Sequence, residues 1–201
     1  MASTWVYLAR HGEVLHAAEG RFFGHTDVAL SPVGVAQAAT LGERLAAEPI
    51  EAVYASDLLR ARESATPLAV ARGMDVIALP PLREMAMGRW EGLTAEEIQG
   101  REPDAFATWM ASVGEFPFPE GESVPDLVAR AWPAFEGLAE AHAGAPFAIV
   151  AHGGTNRAIL CRLLGLPLDR LLAFGQGYGA LTVIERAHGR WSVCRLNEEP
   201  W

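Results

Sequence analysis

Two short apolar runs in this chain each end in a histidine followed by a glycine. The run at residues 5–9 leads into Arg10 and His11, and the run at residues 147–151 leads into His152. An imidazole can act as a nucleophile near neutral pH, and a guanidinium group matches the geometry of phosphate oxygens. Continuous apolar runs of this length are typical of strands buried in a parallel sheet. If the two strands are neighbours, the three side chains meet at one sheet edge, which predicts chemistry on a phosphate group.

A second arginine is predicted to reach the same edge. Arg60 lies in the first turn of a predicted helix that follows the apolar strand at residues 53–55. The N-terminus of a helix itself favours anions. His11 could therefore attack phosphorus while Arg10, Arg60 and His152 bind the phosphoryl oxygens.

The leaving oxygen of a phosphate ester needs a proton, and three glutamates are candidates for its donor. Glu84 follows the predicted strand at residues 75–79 and so reaches the same sheet edge. Glu13 and Glu91 fit the spacing equally well. For Glu13 the alternative is a structural role that orients the site.

The order of elements predicts an α/β fold, with strands that alternate with helices. We expect a three-layer α/β/α sandwich with a mostly parallel central sheet, in one domain over residues 1–201. The predicted strands are 5–9, 53–55, 75–79 and 147–151, followed by a hairpin of 180–185 and 191–196. The predicted helices run to about residues 47, 72, 143 and 164, with N-caps at Ser31, Ser56-Asp57 and Ser123 and a start at Thr155 for the last. Residues 94–122 are predicted to be an insertion over the site.

The composition limits the kinds of partner that this protein can bind. Half of the 201 residues are hydrophobic, and the formal net charge is −9. That charge argues against nucleic acid and anionic membranes as partners. The two cysteines, Cys161 and Cys194, are predicted to be core thiols rather than a disulfide. We find no leader and no apolar run long enough to span a membrane, which predicts a cytoplasmic protein.

No metal site or other cofactor site is predicted. No two histidines have metal-ligand spacing on a predicted helix, and no acidic cluster suggests magnesium. The glycine-rich stretch at residues 175–179 precedes a strand and lacks the Gly-Lys-Ser/Thr of a phosphate-binding loop, so it is predicted to be a turn.

The ordered set of motifs resembles the histidine phosphatases, a family with a phosphoglycerate-mutase-like fold. The likeness is greatest to the α-ribazole phosphatase and broad-specificity branch, and it covers nearly the whole chain. The motifs that carry it are Leu8-Ala9-Arg10-His11-Gly12-Glu13, Gly24-His25-Thr26-Asp27, Ser56-Asp57-Leu58 with Arg60, Leu82 with Glu84 and Gly88, Trp90-Glu91-Gly92, Gly121-Glu122-Ser123, and His152-Gly153-Gly154 with Arg157.

This resemblance implies a role for each candidate residue. His11 would be the nucleophile that becomes a phosphohistidine. Arg10, Arg60 and His152 would bind the phosphoryl group, and Glu84 would be the proton donor. Members of the family need no metal.

The sequence departs from the family pattern around the pocket. Many relatives carry, where Ala17 stands, an Asn that helps to hold phosphate, so we expect that contact to be missing. Phe23 stands where mutases tend to have Thr, so the mouth formed with Phe22 is less polar. We expect Phe23, Gly24 and Gly153 to line the substrate pocket.

The leading hypothesis is a metal-independent phosphomonoesterase for a small phosphorylated metabolite. Because the central region is short, water should reach the phosphoenzyme, which favours hydrolysis over mutation. The alternatives are a phosphoglycerate mutase and a phospholigand-binding module without turnover. A homodimer through a sheet edge is one assembly that the predicted edge strand allows.

Overall fold

The computed structural model describes residues 2–200, and their six strands form a single sheet. The strands are β1 (Thr4–Arg10), β2 (Val53–Ala55), β3 (Val76–Ala78), β4 (Pro146–Ala151), β5 (Leu181–Ala187) and β6 (Arg190–Glu198), in the spatial order β3-β2-β4-β1-β5-β6. Strands β1 to β4 are parallel to one another, and β5 and β6 form an antiparallel hairpin at one edge. The predicted α/β fold with a mostly parallel sheet is confirmed.

Helices cover both faces of the sheet. They are α1 (Pro32–Arg44), α2 (Leu59–Val70), α3 (Ala95–Arg101), α4 (Pro103–Ala111), α5 (Val124–Ala141) and α6 (Gly153–Leu164). Because strand side chains alternate, Val6 and Leu8 of β1 join the core under α5 and α6, whereas Tyr7 and Ala9 join the core under α1 and α2. A strand buried on both faces is apolar at every position, which is why β1 and β4 were recognisable from sequence.

The register of β1 and β4 determines where the two histidines lie. Arg10 is paired with Ala151, so the next residue of each strand emerges at the same height. The backbone N–H of His11 donates to the carbonyl oxygen of Ala151 at 3.0 Å. The two imidazoles of His11 and His152 are therefore neighbours by virtue of the pairing alone.

Two of the predicted N-caps are confirmed, and the third is wrong. Ser31 accepts from the N–H of Gly34, and Ser123 forms a capping box with its helix. Helix α2 begins only at Leu59, and the N–H of that residue donates to the carboxylate of Asp27 at 2.6 Å. Asp57 does not cap the helix because its carboxylate is held by an arginine instead.

Helix α6 begins at Gly153 rather than at Thr155, immediately after His152. This start places the first backbone N–H groups of the helix directly at the sheet edge. Helix α1 ends at Arg44, earlier than residue 47, and β3 covers only Val76–Ala78.

The segment at residues 94–122 was predicted to lie over the site, but it packs beside it. Its aromatic side chains surround Trp90, which is fully buried and stacks on Phe116 at 5.3 Å between ring centroids. Phe22 joins the same cluster through Trp109, at 5.5 Å between centroids. The segment therefore supports the loop that carries Phe22 rather than forming a cover.

Both cysteines are free thiols, as predicted, although Cys194 is exposed and only Cys161 belongs to the core. Within residues 2–200, no helix combines the length and the apolar character that a membrane crossing requires.

Candidate active site

His11 is buried, and its ring has a defined tautomer. Its Nδ1 lies 2.7 Å from the carbonyl oxygen of Gly12. Because a carbonyl can only accept, Nδ1 carries the proton and Nε2 has a free lone pair. Burial, together with the charges of Arg10 and Arg60, lowers the pKa of His11 well below its ordinary value. The ring is therefore neutral at neutral pH, as a nucleophile must be.

His152 lies beside His11 and has no hydrogen-bond partner of its own. The two ring centroids are 5.0 Å apart, with the rings nearly edge to face. His152 is fully buried, yet neither ring nitrogen meets a partner within residues 2–200. Burial lowers its pKa well below the ordinary value, and the nearby charges, led by that of Arg60, act in the same direction. A buried polar group without a partner indicates a place where a ligand completes the hydrogen bonding.

Arg60 is fully buried and anchors a loop. Its guanidinium group donates to the carbonyl oxygens of Thr26 at 2.9 Å and Gly24 at 2.7 Å. Burial is the main cause that lowers its pKa. Within the described part of the chain, neither Arg60 nor Arg10 has a carboxylate within ion-pair distance. Two buried guanidinium groups that form no direct ion pair, beside a cavity, favour the binding of an anion.

Of the three candidate glutamates, Glu84 alone borders the cavity beside His11. Its carboxylate accepts from the backbone N–H of Gly154 at 2.8 Å and of Thr155 at 3.1 Å, at the start of α6. Glu91 instead accepts several backbone N–H groups of the loop at residues 24–26. Glu13 accepts from the hydroxyl of Ser31 and so has the structural role that was its alternative.

Gly154 is a position where the absence of a side chain lets Glu84 lie against the start of α6. A Cβ there would overlap the carboxylate of Glu84, which lies directly against the helix start. The bend after His152 thus allows α6 and Glu84 to approach each other closely.

Arg130 of α5 holds the segment that carries Glu84. Its guanidinium group donates to the carbonyl oxygens of Pro81, Arg83 and Glu84 at 2.7–2.8 Å. It also forms a bidentate pair with the carboxylate of Glu122. The position of the Glu84 carboxyl group therefore depends on a helix on the other side of the segment.

The side chains converge on a cavity of about 290 Å³. The residues that border it are Arg10, His11, Val14, Ala17, Gly20, Arg21, Phe22, Phe23, Arg60, Glu84, Met87 and Tyr178. Charged and apolar side chains both border the cavity, whereas His152, fully buried beside His11, does not. A cavity of this size suits a small molecule.

Three residues were predicted to line the pocket, and the structure places one of them on its border. Phe23 borders the cavity, whereas Gly24 and Gly153 do not. A Cβ on Gly24 would overlap the carbonyl oxygen of Met85. A Cβ on Gly153 would lie 3.4 Å from Nε of Arg10. Gly153 therefore leaves room for Arg10, whereas Gly24 leaves room for the backbone of the segment that follows Glu84.

Sequence reasoning missed Tyr178, which lies in the stretch predicted to be a turn. Its ring centroid is 3.8 Å from Cζ of Arg10. Arg130 was missed as well, because the local sequence does not distinguish it from a solvent-exposed polar residue on a helix. The only local signal for Tyr178 is an aromatic residue between glycines just before a strand that joins the sheet next to β1.

Comparisons with known proteins identify the family of this chain. The family model of the histidine phosphatase superfamily (branch 1) matches residues 6–199. A metal-independent phosphoserine phosphatase of Arabidopsis thaliana is 38% identical over 166 residues, which are 80% of this chain and 68% of that protein. The structure of YhfR of Bacillus stearothermophilus is similar with a TM-score of 0.91, at 32% identity and 97% coverage of both chains.

A mycobacterial glucosyl-3-phosphoglycerate phosphatase, whose structure was solved with VO3, has a TM-score of 0.87. It is 31% identical, and the similarity covers 97% of this chain and 99% of that chain. The family match extends over nearly every residue, from within β1 to beyond β6. The chain therefore belongs to the histidine phosphatase superfamily.

Proposed function

We propose that this protein is a phosphomonoesterase that hydrolyses a small phosphorylated metabolite through a phosphohistidine on His11. One observation carries the proposal. A neutral imidazole with a free Nε2 borders a cavity beside a buried histidine without partners and two arginines without counterions. A phosphoryl group supplies both the electrophile that Nε2 needs and the negative charge that the arginines lack.

In the first step, Nε2 of His11 attacks phosphorus, and the bond from phosphorus to the ester oxygen breaks. Arg10, Arg60 and one ring N–H of His152 bind the nonbridging oxygens, where charge develops in the transition state. The carboxyl group of Glu84 donates its proton to the departing alcohol. The products of this step are the alcohol and a phosphoramidate on His11.

In the second step, a water molecule attacks the phosphoramidate. The Glu84 carboxylate takes a proton from that water, which restores the protonated carboxyl group for the next cycle. The bond from phosphorus to Nε2 breaks, and inorganic phosphate leaves with His11 restored to its neutral form. The carbonyl of Gly12 orients the ring throughout by accepting from Nδ1.

No metal enters this scheme, because the positive charge that a metal would supply comes from Arg10 and Arg60. The name of the Arabidopsis relative states the same property for that enzyme. No residue of 94–122 borders the cavity, and this favours hydrolysis over transfer to a second substrate, because without such a cover water reaches the phosphoenzyme. The size of the cavity favours small esters, and the relatives' names point to phosphoserine and a glycosylated phosphoglycerate.

The test is phosphate release from p-nitrophenyl phosphate in the presence of EDTA. The wild-type protein should release phosphate, and His11→Ala should lower the rate by at least about a thousandfold, as loss of a nucleophile does. His188→Ala, in the β5–β6 turn, is the matched control and should keep full activity. A His11→Ala protein with wild-type activity would refute the proposal.

A panel of phosphate esters then ranks the substrates. It should contain phosphoserine, glucosyl-3-phosphoglycerate, α-ribazole phosphate and 3-phosphoglycerate. Net release of phosphate from one of them supports a phosphatase. Interconversion of 3- and 2-phosphoglycerate without net release would support the mutase alternative instead.

A further inference from the structure

Tyr178 takes no part in the proposed mechanism, yet its ring lies against the guanidinium group of Arg10. Cζ of Arg10 is 3.8 Å from the centroid of the ring, and the ring of His11 is 5.7 Å away between centroids. Tyr178 also borders the cavity. A guanidinium group this close to the face of an aromatic ring is attracted by the ring's quadrupole.

The guanidinium group of Arg10 has few other partners. Its Nη1 donates to the carbonyl oxygen of Gln176 at 2.6 Å, while its buried Nε has no partner within residues 2–200. Burial is the main cause that lowers the pKa of Arg10. The face of the Tyr178 ring therefore offsets part of the cost of holding this charge away from water.

The backbone fixes the ring in this position. The N–H of Gly179 donates to the carbonyl oxygen of His11 at 3.0 Å, and the N–H of Arg10 donates to that of Ala180 at 3.0 Å. Gly179 has a φ of 68°, a conformation that glycine adopts without strain. The loop that carries Tyr178 is thus tied to the two residues that begin the site.

We propose that Tyr178 is a positioning residue for Arg10. The face of its ring holds the guanidinium plane so that the remaining N–H donors point to the phosphoryl oxygens. The proposal rests on the proposed function in one respect, namely that Arg10 binds the phosphoryl group. It assigns most of the effect to the ring face, although the Tyr178 hydroxyl also stabilises the charge of Arg10.

The test compares Tyr178→Leu with Tyr178→Phe by isothermal titration calorimetry with inorganic phosphate and with orthovanadate. Tyr178→Leu should raise the Kd about tenfold, which corresponds to about 1.4 kcal/mol, and should raise KM in parallel. Tyr178→Phe keeps the ring face and should stay within about twofold of wild type. Tyr54→Leu is the matched control: Tyr54 is half-buried and packs on Phe147 away from the cavity, so the Kd should not change.

A double-mutant cycle shows whether the ring acts through the arginine. In the background of Arg10→Gln, the further change Tyr178→Leu should leave the Kd unchanged, because no guanidinium group remains to be held. The proposal is overturned if Tyr178→Leu binds phosphate as wild type does, or if Tyr178→Phe is equally defective. An equal loss in the Arg10→Gln background would also overturn it, since the ring would then act on the ligand directly.

The role of Tyr178 and the phosphatase activity can be tested separately. A wild-type protein that binds phosphate but hydrolyses no ester contradicts the proposed function and leaves the calorimetric comparison at Tyr178 decisive. A wild-type protein that binds neither phosphate nor vanadate contradicts both.

Discussion

Replacing Arg130 with methionine should lower both stability and kcat while phosphate binding persists. The guanidinium group donates five hydrogen bonds of 2.7–2.8 Å. Two go to the carboxylate of Glu122, and three go to carbonyl oxygens of the segment that ends in Glu84. Methionine has a similar length but no donor, so all five hydrogen bonds are lost. Oε2 of Glu122 keeps the N–H of Ala86, and the carbonyl oxygen of Arg83 keeps the hydroxyl of Thr155.

The loss of these contacts determines how far the free energy of unfolding should fall. A hydrogen bond to a charged group contributes about 1.5–3 kcal/mol, and breaking a buried ion pair costs about 3–5 kcal/mol. The side chains of Arg130 and Glu122 are 22% and 21% exposed, so water replaces part of what is lost. We therefore expect the free energy of unfolding to fall by about 3 kcal/mol.

Arg130→Met should lower kcat much more than it weakens phosphate binding. If Glu84 is misplaced, kcat for p-nitrophenyl phosphate should fall by about 10- to 100-fold, as partial loss of a general acid does. The groups proposed to bind phosphate lie on other elements, so the Kd for phosphate should change less than about threefold. Urea denaturation, steady-state kinetics and calorimetry on the same preparation measure all three quantities.

The double variant Glu122→Gln with Arg130→Met is the control for the unpaired carboxylate. It should recover part of the lost stability, because no buried charge is left without a partner. It should not recover kcat, since the carbonyl oxygens near Glu84 still lack their donor. A cost of less than about 1 kcal/mol for Arg130→Met, or a phosphate Kd that rises as much as kcat falls, would contradict this prediction.

Three further predictions concern stability. Because burial lowers the pKa of His11 and His152 in the folded protein, the unfolded chain binds more protons than the folded protein below about pH 6.5. The free energy of unfolding should therefore decrease as the pH is lowered, by up to about 1.4 kcal/mol per pH unit for each histidine. Urea titrations from pH 7.5 to 5.5 without phosphate test this, and a flat profile contradicts it. Gly24→Ala should unfold the protein or lower Tm by well over 5 °C, because its Cβ would overlap the Met85 carbonyl. Asp27→Ala should cost about 1 kcal/mol by removing the cap of α2, and a Tm equal to wild type would show that the cap contributes nothing.

The parts of the site that the sequence predicted are those set by strands. Apolar runs locate β1 and β4, and parallel pairing then places whatever follows each strand at one edge. His11, His152 and Arg60 could be placed together by this argument, because it needs only the order of strands and no side-chain geometry. Spacing could not distinguish Glu84 from Glu13 and Glu91. That choice depends on which backbone N–H groups, in loops and at helix starts, each carboxylate accepts from.

The parts that the sequence did not predict depend on contacts between distant segments. The cap of α2 comes from Asp27, about thirty residues before the helix, so the local pattern at Ser56 and Asp57 was misleading. Arg130 acts on a segment of another element, and Tyr178 stacks on a residue at the other end of the chain. Such partners are determined by tertiary packing, which no periodicity within a short window reports.

The most direct test is a crystal structure of the protein with orthovanadate, a trigonal-bipyramidal mimic of the transferring phosphoryl group. We expect a bond between vanadium and Nε2 of His11, with Arg10, Arg60 and His152 on the equatorial oxygens and Glu84 at the apical oxygen opposite the histidine. Vanadate that binds in the cavity without approaching Nε2 of His11, or that binds elsewhere on the protein, would contradict it.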